Sequence, residues 1–112
     1  MKAPHQFAIW WVSLPAPAGR RPVLLLSRTS AFDYLDRVLV AEVTTTVRGI
    51  PQEVALGKGE GLTRKCVANL DNVRSIPRES LQMPIGKLAV LRHAQVKRAL
   101  GHVLHWPELT SL

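Results

Sequence analysis

The sequence predicts a mainly β protein, in which several short strands form a small barrel and one helix follows at the C-terminal end. Short apolar runs recur along the chain and are separated by proline, glycine and polar residues, which is typical of strands joined by turns. Apolar residues at helical spacing occur only near the C-terminus. Because 112 residues are enough for one hydrophobic core, we expect residues 1–112 to form a single domain.

The predicted strands take up most of the chain. Two adjacent tryptophans, Trp10 and Trp11, favour extended backbone in the first strand and must face opposite sides of it. Uninterrupted apolar runs in the second and third strands are typical of central strands that are buried on both faces. These runs and the turn residues between them predict six strands: Phe7–Leu14, Arg21–Arg28, Arg37–Thr46, Gln52–Leu56, Lys65–Asn69 and Asn72–Ile76.

The remaining segments are predicted to be turns and one helix. A turn or short helix is expected at Thr29–Leu35, and a turn around Asn69 and Asp71 separates the last two strands. The helix is predicted from Ala89 to about His105, because its apolar residues fall on one stripe and its charged residues on the other side. Pro107 ends it.

The composition points to an anionic partner. The formal net charge is +7 and the isoelectric point is about 10.6, which favours nucleic acid, although a solvated basic surface is the alternative. The lone Cys66 excludes an intramolecular disulfide, so we expect a cytoplasmic protein. No apolar run approaches the length of a membrane span, so we expect no membrane contact. No histidine or cysteine spacing indicates a metal site, and we expect no cofactor.

Two strand ends carry the residue types that handle phosphate. Arg21 precedes Pro22, which restricts the arginine to extended backbone at the mouth of a buried strand. A guanidinium there can hold a phosphate through two parallel hydrogen bonds, although an ordinary surface arginine is the alternative. Thr44 follows the apolar part of the third strand and shares one face with Thr46 and Arg48. Simple β preference also explains these threonines.

These stretches resemble one family, the MazF/PemK toxin endoribonucleases of type II toxin–antitoxin systems. The resemblance runs from about Ile9 to Leu104 and depends on the order and spacing of five motifs: Ile9–Val12, Gly19–Arg28, Ala41–Gly49, Pro51–Val54 and Asn69–Asp71. The chain departs from the family at His5–Ala8, where a glycine–acid pair is usual. Its first loop, Pro15–Arg20, is also short and lacks the glutamate of many members.

The resemblance implies an SH3-like barrel of the CcdB/PemK type that forms a homodimer. It also implies that Arg21 and Thr44 are catalytic, as acid and base partners. Because a guanidinium stays protonated at neutral pH and a threonine hydroxyl is a still poorer base, we expect instead that Arg21 stabilises the transition state electrostatically and that Thr44 positions a phosphate oxygen. Glu53 is a candidate general base if it faces the site. The candidate RNA contacts are Arg28, Thr46, Arg48, Lys65, Arg74 and Trp11. Surface solvation is the alternative for the charged residues, and core or dimer packing for Trp11.

The function that the resemblance implies is sequence-selective, metal-independent cleavage of single-stranded RNA, leaving 2′,3′-cyclic phosphate and 5′-hydroxyl ends. An acidic cognate antitoxin is the expected protein partner, because a basic toxin attracts an acidic tail. The alternative is a non-catalytic protein on the same barrel, either a gyrase poison similar to CcdB or a basic RNA-binding module. The pair of Arg21 and Thr44 favours the nuclease, since a gyrase poison needs neither.

Overall fold

A computed structural model describes residues 3–112 and contains one antiparallel sheet with helices at its margins. The strands are β1 (Ala8–Ser13), β2 (Arg20–Leu25), β3 (Arg37–Thr44), β4 (Glu53–Leu56), β5 (Cys66–Pro77) and β6 (Leu81–Lys87). The helices are α1 (Ala31–Tyr34), α2 (His93–Leu104) and α3 (Pro107–Thr110). Three single 3₁₀ turns lie at Lys58–Glu60, Arg78–Ser80 and Val90–Arg92. The mainly β prediction with a C-terminal helix is therefore confirmed.

The six strands lie in the order β4-β5-β3-β2-β1-β6, so β2 and β3 are central. The apolar run of β2 is buried on both faces, as the sequence predicts, since Val23, Leu24 and Leu25 are fully buried. The run of β3 is buried except at Leu39, which is 48% exposed, so the prediction of burial on both faces was wrong at that residue. Alternate residues enter two core clusters, with Leu24 in one and Val23 and Leu25 in the other. The period-two alternation of strand side chains thus divides one apolar run between two cores.

Helix α2 covers the first core cluster. Val96 and Ala99 are buried and pack in the same cluster as Ile9 and Leu24 of the sheet. His93 begins the helix, and its ring lies 4.3 Å from that of Phe7, measured between ring centroids. The predicted apolar stripe of the helix is therefore partly confirmed, since Val96 lies in the core. The helix begins at His93 rather than at Ala89, because a 3₁₀ turn precedes it.

The predicted barrel is open along one line in the described residues. Strands β4 and β6 are the two edges of the sheet and do not pair with each other. The 3₁₀ turn Lys58–Glu60 and Gly61 lie against β6 instead, close to Ile85 and Gly86. A side-chain atom added at Gly86 would lie 2.0 Å from the carbonyl oxygen of Glu60, so only glycine permits this approach.

We expect Gly86→Ala to destabilise the protein by about 1–3 kcal/mol or more. The new methyl group would overlap the Glu60 backbone and push the segment Lys58–Gly61 away from β6. Urea unfolding followed by circular dichroism measures the effect. Gly59→Ala is the matched control, since nothing lies within 4 Å of a side-chain atom added there. Equal stability of Gly86→Ala and wild-type protein would contradict the tight packing between β6 and the Glu60 backbone.

Two strand predictions were wrong. The predicted fifth and sixth strands form one long strand, β5, and no turn separates them. Asn69 Oδ1 accepts a hydrogen bond from the Asp71 backbone N–H at 2.9 Å, and the pairing with β3 shifts between Ala41 and Glu42. The extra residues form a bulge, which bends a strand without ending it. Asn69 and Asp71 therefore belong to this bulge.

The sequence reasoning also missed β6 and α3. Strand β6 contains Pro84 and Gly86, which count against a strand in a sequence, but a proline is tolerated on an edge strand. Helix α3 begins at Pro107, the residue predicted to end the preceding helix, because proline also suits the first turn of a new one. Within residues 3–112 no helix has the length and apolar character needed to cross a membrane.

Candidate active site

The antiparallel pairing of β2 and β3 brings Arg21 and Thr44 to the same end of the sheet. Val23 pairs with Glu42 in this register. Arg21 lies two residues before Val23 and Thr44 two residues after Glu42, so both side chains fall on the same face at neighbouring positions. Residues 23 positions apart in the sequence therefore meet through strand pairing alone.

Both residues line one cavity of about 510 Å³. Trp11 of β1 also lines it, so three of the predicted site residues share one site. Its remaining lining residues come from β2, β3 and the residue after it, β5, β6 and the loop after the 3₁₀ turn Lys58–Glu60: Pro22, Val43, Thr45, Gly61, Leu62, Thr63, Arg64, Cys66 and Ile85. Arg64 supplies a second cation, which sequence reasoning missed in favour of the adjacent Lys65. The polar run Thr63–Lys65, which follows the glycine-rich segment Gly57–Gly61, was the available signal.

The guanidinium of Arg21 is held by two acceptors. Its Nη1 donates to Oε1 of Glu42 at 2.5 Å, and its Nε donates to the carbonyl oxygen of Ala18 at 3.3 Å. Glu42 also accepts a hydrogen bond from Nη1 of Arg74 at 3.2 Å. Arg74 therefore reaches the site region through this shared carboxylate. Sequence reasoning missed Glu42, although an acid two residues before Thr44 on the same strand face was a readable signal.

The hydroxyl of Thr44 has a defined acceptor role. The backbone N–H of Thr46 donates to Oγ1 of Thr44 at 3.1 Å. A hydroxyl can accept and donate at the same time, so this bond leaves the Thr44 hydroxyl hydrogen available as a donor. Thr46 thus affects the site through its backbone, while its exposed side chain is not among the residues that line the cavity.

Trp11 is covered on one ring face by a cation. The guanidinium carbon of Arg20 lies 4.1 Å from the centroid of the Trp11 ring, a cation–π contact. Nε of Arg20 donates to Oε1 of Gln82 at 3.0 Å, which fixes the stack against β6. Trp10, its neighbour, is only 6% exposed and belongs to the core. The two tryptophans therefore take opposite faces, as their adjacency predicts.

The other predicted contacts lie outside this cavity. Arg28 donates to the hydroxyl of Tyr34 at 3.2 Å, and this hydrogen bond lowers the pKa of the exposed tyrosine below its usual value. Lys65 lines a second, more apolar cavity of about 630 Å³, which shares Cys66 with the first. Arg74 is bound to Glu42 and lines a third cavity, of about 500 Å³, with Arg37. Arg28 and Lys65 therefore make no contact with the Arg21 cluster, whereas Arg74 is linked to Arg21 through Glu42.

The Glu53 carboxylate stabilises the loop that contains Arg48 and Gly49. The Glu53 carboxylate accepts hydrogen bonds from the backbone N–H groups of Arg48 at 3.1 Å and of Gly49 at 2.9 Å. Gly49 has a φ of 71°, so this tight turn favours glycine. Neither Glu53 nor Arg48 is among the residues that line the Arg21 cavity. The geometry therefore gives Glu53 a local structural role.

Cys66 is the one thiol beside the cavity. Burial raises its pKa above the ordinary value, and the charge of Glu60 adds to this effect. The thiol is thus held in its neutral form, unlike a nucleophilic cysteine, whose pKa is lowered. Among residues 3–112, no three histidine, cysteine or acidic side chains cluster in a way that could hold a metal ion.

The described geometry is that of a small antiparallel β protein with an arginine and a threonine hydroxyl at one end of its central strands. The model of one protein family, described as PemK-like, MazF-like toxin of type II toxin-antitoxin system, matches residues 5–104. The chain therefore belongs to this family.

Individual relatives agree with that membership. The chain is 41% identical over 98 residues to the probable endoribonuclease MazF5 of Mycobacterium tuberculosis, covering 87% of this chain and 89% of the relative. The structure of the M. tuberculosis toxin MazF-mt6 superposes with a TM-score of 0.82 at 34% identity, covering 88% of this chain and 96% of the toxin. A mycobacterial endoribonuclease in complex with its cognate antitoxin gives a TM-score of 0.79 at 26% identity, covering 94% and 98%.

Proposed function

We propose that this chain is a toxin endoribonuclease that cleaves single-stranded RNA. The observation that carries the proposal is the cavity in which Arg21, Thr44 and Trp11 meet. A guanidinium, a hydroxyl and an aromatic ring are the groups that bind a phosphate and a splayed nucleotide. Membership of the toxin family and the names of the endoribonuclease relatives support the same activity.

The proposed reaction uses the RNA's own 2′-hydroxyl as nucleophile. The 2′-oxygen attacks the adjacent phosphorus, its proton passes to a base, and the bond from phosphorus to the 5′-oxygen breaks as that oxygen takes up a proton. The products are a 2′,3′-cyclic phosphate and a 5′-hydroxyl, and no metal ion takes part. An arginine is a poor base because its guanidinium stays protonated at neutral pH. Arg21 therefore acts by stabilising the negative charge of the phosphorane, and Thr44 donates to a phosphate oxygen.

The proposed RNA path extends beyond this cavity. Arg64 adds a second cation to the lining of the cavity, while Arg28, Arg48 and Lys65 are proposed as more distant backbone contacts. A base that stacks on Trp11 must displace the guanidinium of Arg20 or use the opposite ring face. The loop-holding hydrogen bonds of Glu53 favour a structural role for it over proton transfer.

The proposed partners are a second copy of the chain and an acidic antitoxin. Large apolar side chains remain exposed near the C-terminal end, with Leu91 95% exposed and Trp106 48% exposed, and a homodimer would cover apolar surface of this kind. The formal net charge of +7 favours an acidic antitoxin that competes with RNA. The lone cysteine and an RNA substrate both agree with a cytoplasmic location.

The test is cleavage of total cellular RNA by the purified protein in the presence of EDTA. We expect discrete fragments, with 5′ ends that a kinase can label directly and 3′ ends that need removal of a cyclic phosphate. Cleavage that EDTA abolishes would contradict the metal-free reaction. Intact RNA together with inhibition of DNA gyrase would favour the CcdB-like alternative, and intact RNA that is nevertheless bound would favour an RNA-binding module.

A further inference from the structure

Glu42 is an acid at the centre of a cationic site. Its Oε1 accepts from Nη1 of Arg21, and its Oε2 accepts from Nη1 of Arg74. The Glu42 side chain is 18% exposed, against 32% for Arg21 and 40% for Arg74. One half-buried carboxylate therefore bridges two guanidinium groups that would otherwise repel each other.

Strand pairing on both sides of β3 brings the Glu42 carboxylate close to both arginines. Glu42 pairs with Val23 of β2 and lies on the strand face that carries Arg21. On the other side, the β5 bulge begins opposite Glu42, where the register with β3 shifts. Val40 pairs with Arg74, so the arginine reaches Glu42 from across the bulge. Bulges commonly re-aim a side chain beside an active site.

The hydrogen bonds of Arg21 leave one edge of its guanidinium free. Nη1 is bound to Glu42 and Nε to the carbonyl oxygen of Ala18. Nη2 makes no hydrogen bond within residues 3–112. A planar guanidinium held at two of its three nitrogens cannot rotate about its long side chain, so the remaining N–H groups point in one direction.

We propose that Glu42 is a positioning residue, which fixes the Arg21 guanidinium so that Nη2 faces the scissile phosphate. This inference rests on the proposed function and deepens it. A partly exposed ion pair contributes little to folding stability, so the value of this pair lies in the orientation of Arg21. Misplacement of a reacting group by about 1 Å can lower a rate by about 10²-fold.

The kinetic test is Glu42→Gln, which keeps the size of the side chain and removes its charge. We expect kcat on a defined RNA oligonucleotide to fall by about 10- to 100-fold, while KM changes little because the RNA-binding cations remain. Glu108→Gln is the control, since it removes one acidic charge from an exposed position in α3. In an Arg21→Ala background, Glu42→Gln should have no further effect, because its whole action passes through Arg21.

Several outcomes would overturn the inference. These are wild-type kcat in Glu42→Gln, an increase in kcat, an effect confined to KM, or a full additional loss in the Arg21→Ala background. Arginine side-chain NMR of the wild-type protein gives a readout independent of cleavage. We expect a sharp, shifted Nε–H signal for Arg21 that reverts in Glu42→Gln, and an Arg21 signal averaged like that of a solvated arginine would contradict a fixed guanidinium. If wild-type protein cuts no RNA, the proposed function fails, and the NMR result alone then decides whether Glu42 fixes Arg21.

Discussion

Arg21→Ala is expected to lower the rate of RNA cleavage by about 10²–10³-fold, or about 2.7–4 kcal/mol, the loss seen when one preorganised transition-state donor is removed. The physical reason is that negative charge grows on the phosphorane oxygens, and Arg21, which lines the cavity together with Thr44, is a cation already held in place by Glu42. Single-turnover cleavage of a labelled RNA oligonucleotide measures the change. Binding of uncut RNA should weaken far less, because several other cations share the backbone contacts.

The controls for Arg21 follow from the structure. Arg20 is not a neutral comparison, although it carries the same charge, because it stacks on Trp11 of the same cavity. Lys97→Ala is the matched control, because Lys97 is exposed in α2 and its substitution removes one positive charge at a position away from the site. Arg21→Lys should restore activity only in part, because an ammonium keeps the charge without the planar fork. A wild-type rate in Arg21→Ala would refute the assignment.

Thr44→Val is expected to lower cleavage by about 10- to 10²-fold, which corresponds to loss of one hydrogen bond to a charged group, worth about 1.5–3 kcal/mol. Valine keeps the shape and strand preference of threonine, so folding should change little. The backbone N–H of Thr46 fixes the Thr44 oxygen at 3.1 Å, and this leaves its hydrogen for a phosphate oxygen. The measurement is again single-turnover cleavage, with circular dichroism to confirm folding.

Thr44→Ser is the matched control for the hydroxyl. Serine retains the donor and lacks only the methyl group, so it should keep most of the activity that Thr44→Val loses. If serine and valine were equally impaired, the methyl group and its packing would matter rather than the hydroxyl. If neither variant lost activity, Thr44 would have no part in the chemistry.

The central strands show what could be predicted from the local sequence. The apolar run around Leu24 predicts a buried strand because burial on both faces needs no polar alternation. The edge strand β6 could not be predicted in the same way, because Pro84 and Gly86 carry the local signature of a turn. Only its pairing with β1, and the close contact of Gly86 with the Glu60 backbone, make this segment a strand.

The candidate site, too, could be predicted from the local sequence only in part. The local sequence is enough to place Arg21 and Thr44 at strand ends. Arg21 precedes a proline and Thr44 follows an apolar run, and both proline geometry and the period of a strand are local properties. Only the tertiary structure decided which cations join them. Arg64 rather than Lys65 lines the cavity, and Arg74 is bound to Glu42. These contacts depend on the β5 bulge and on strand register, which link residues far apart in the chain, and no local pattern encodes such distances.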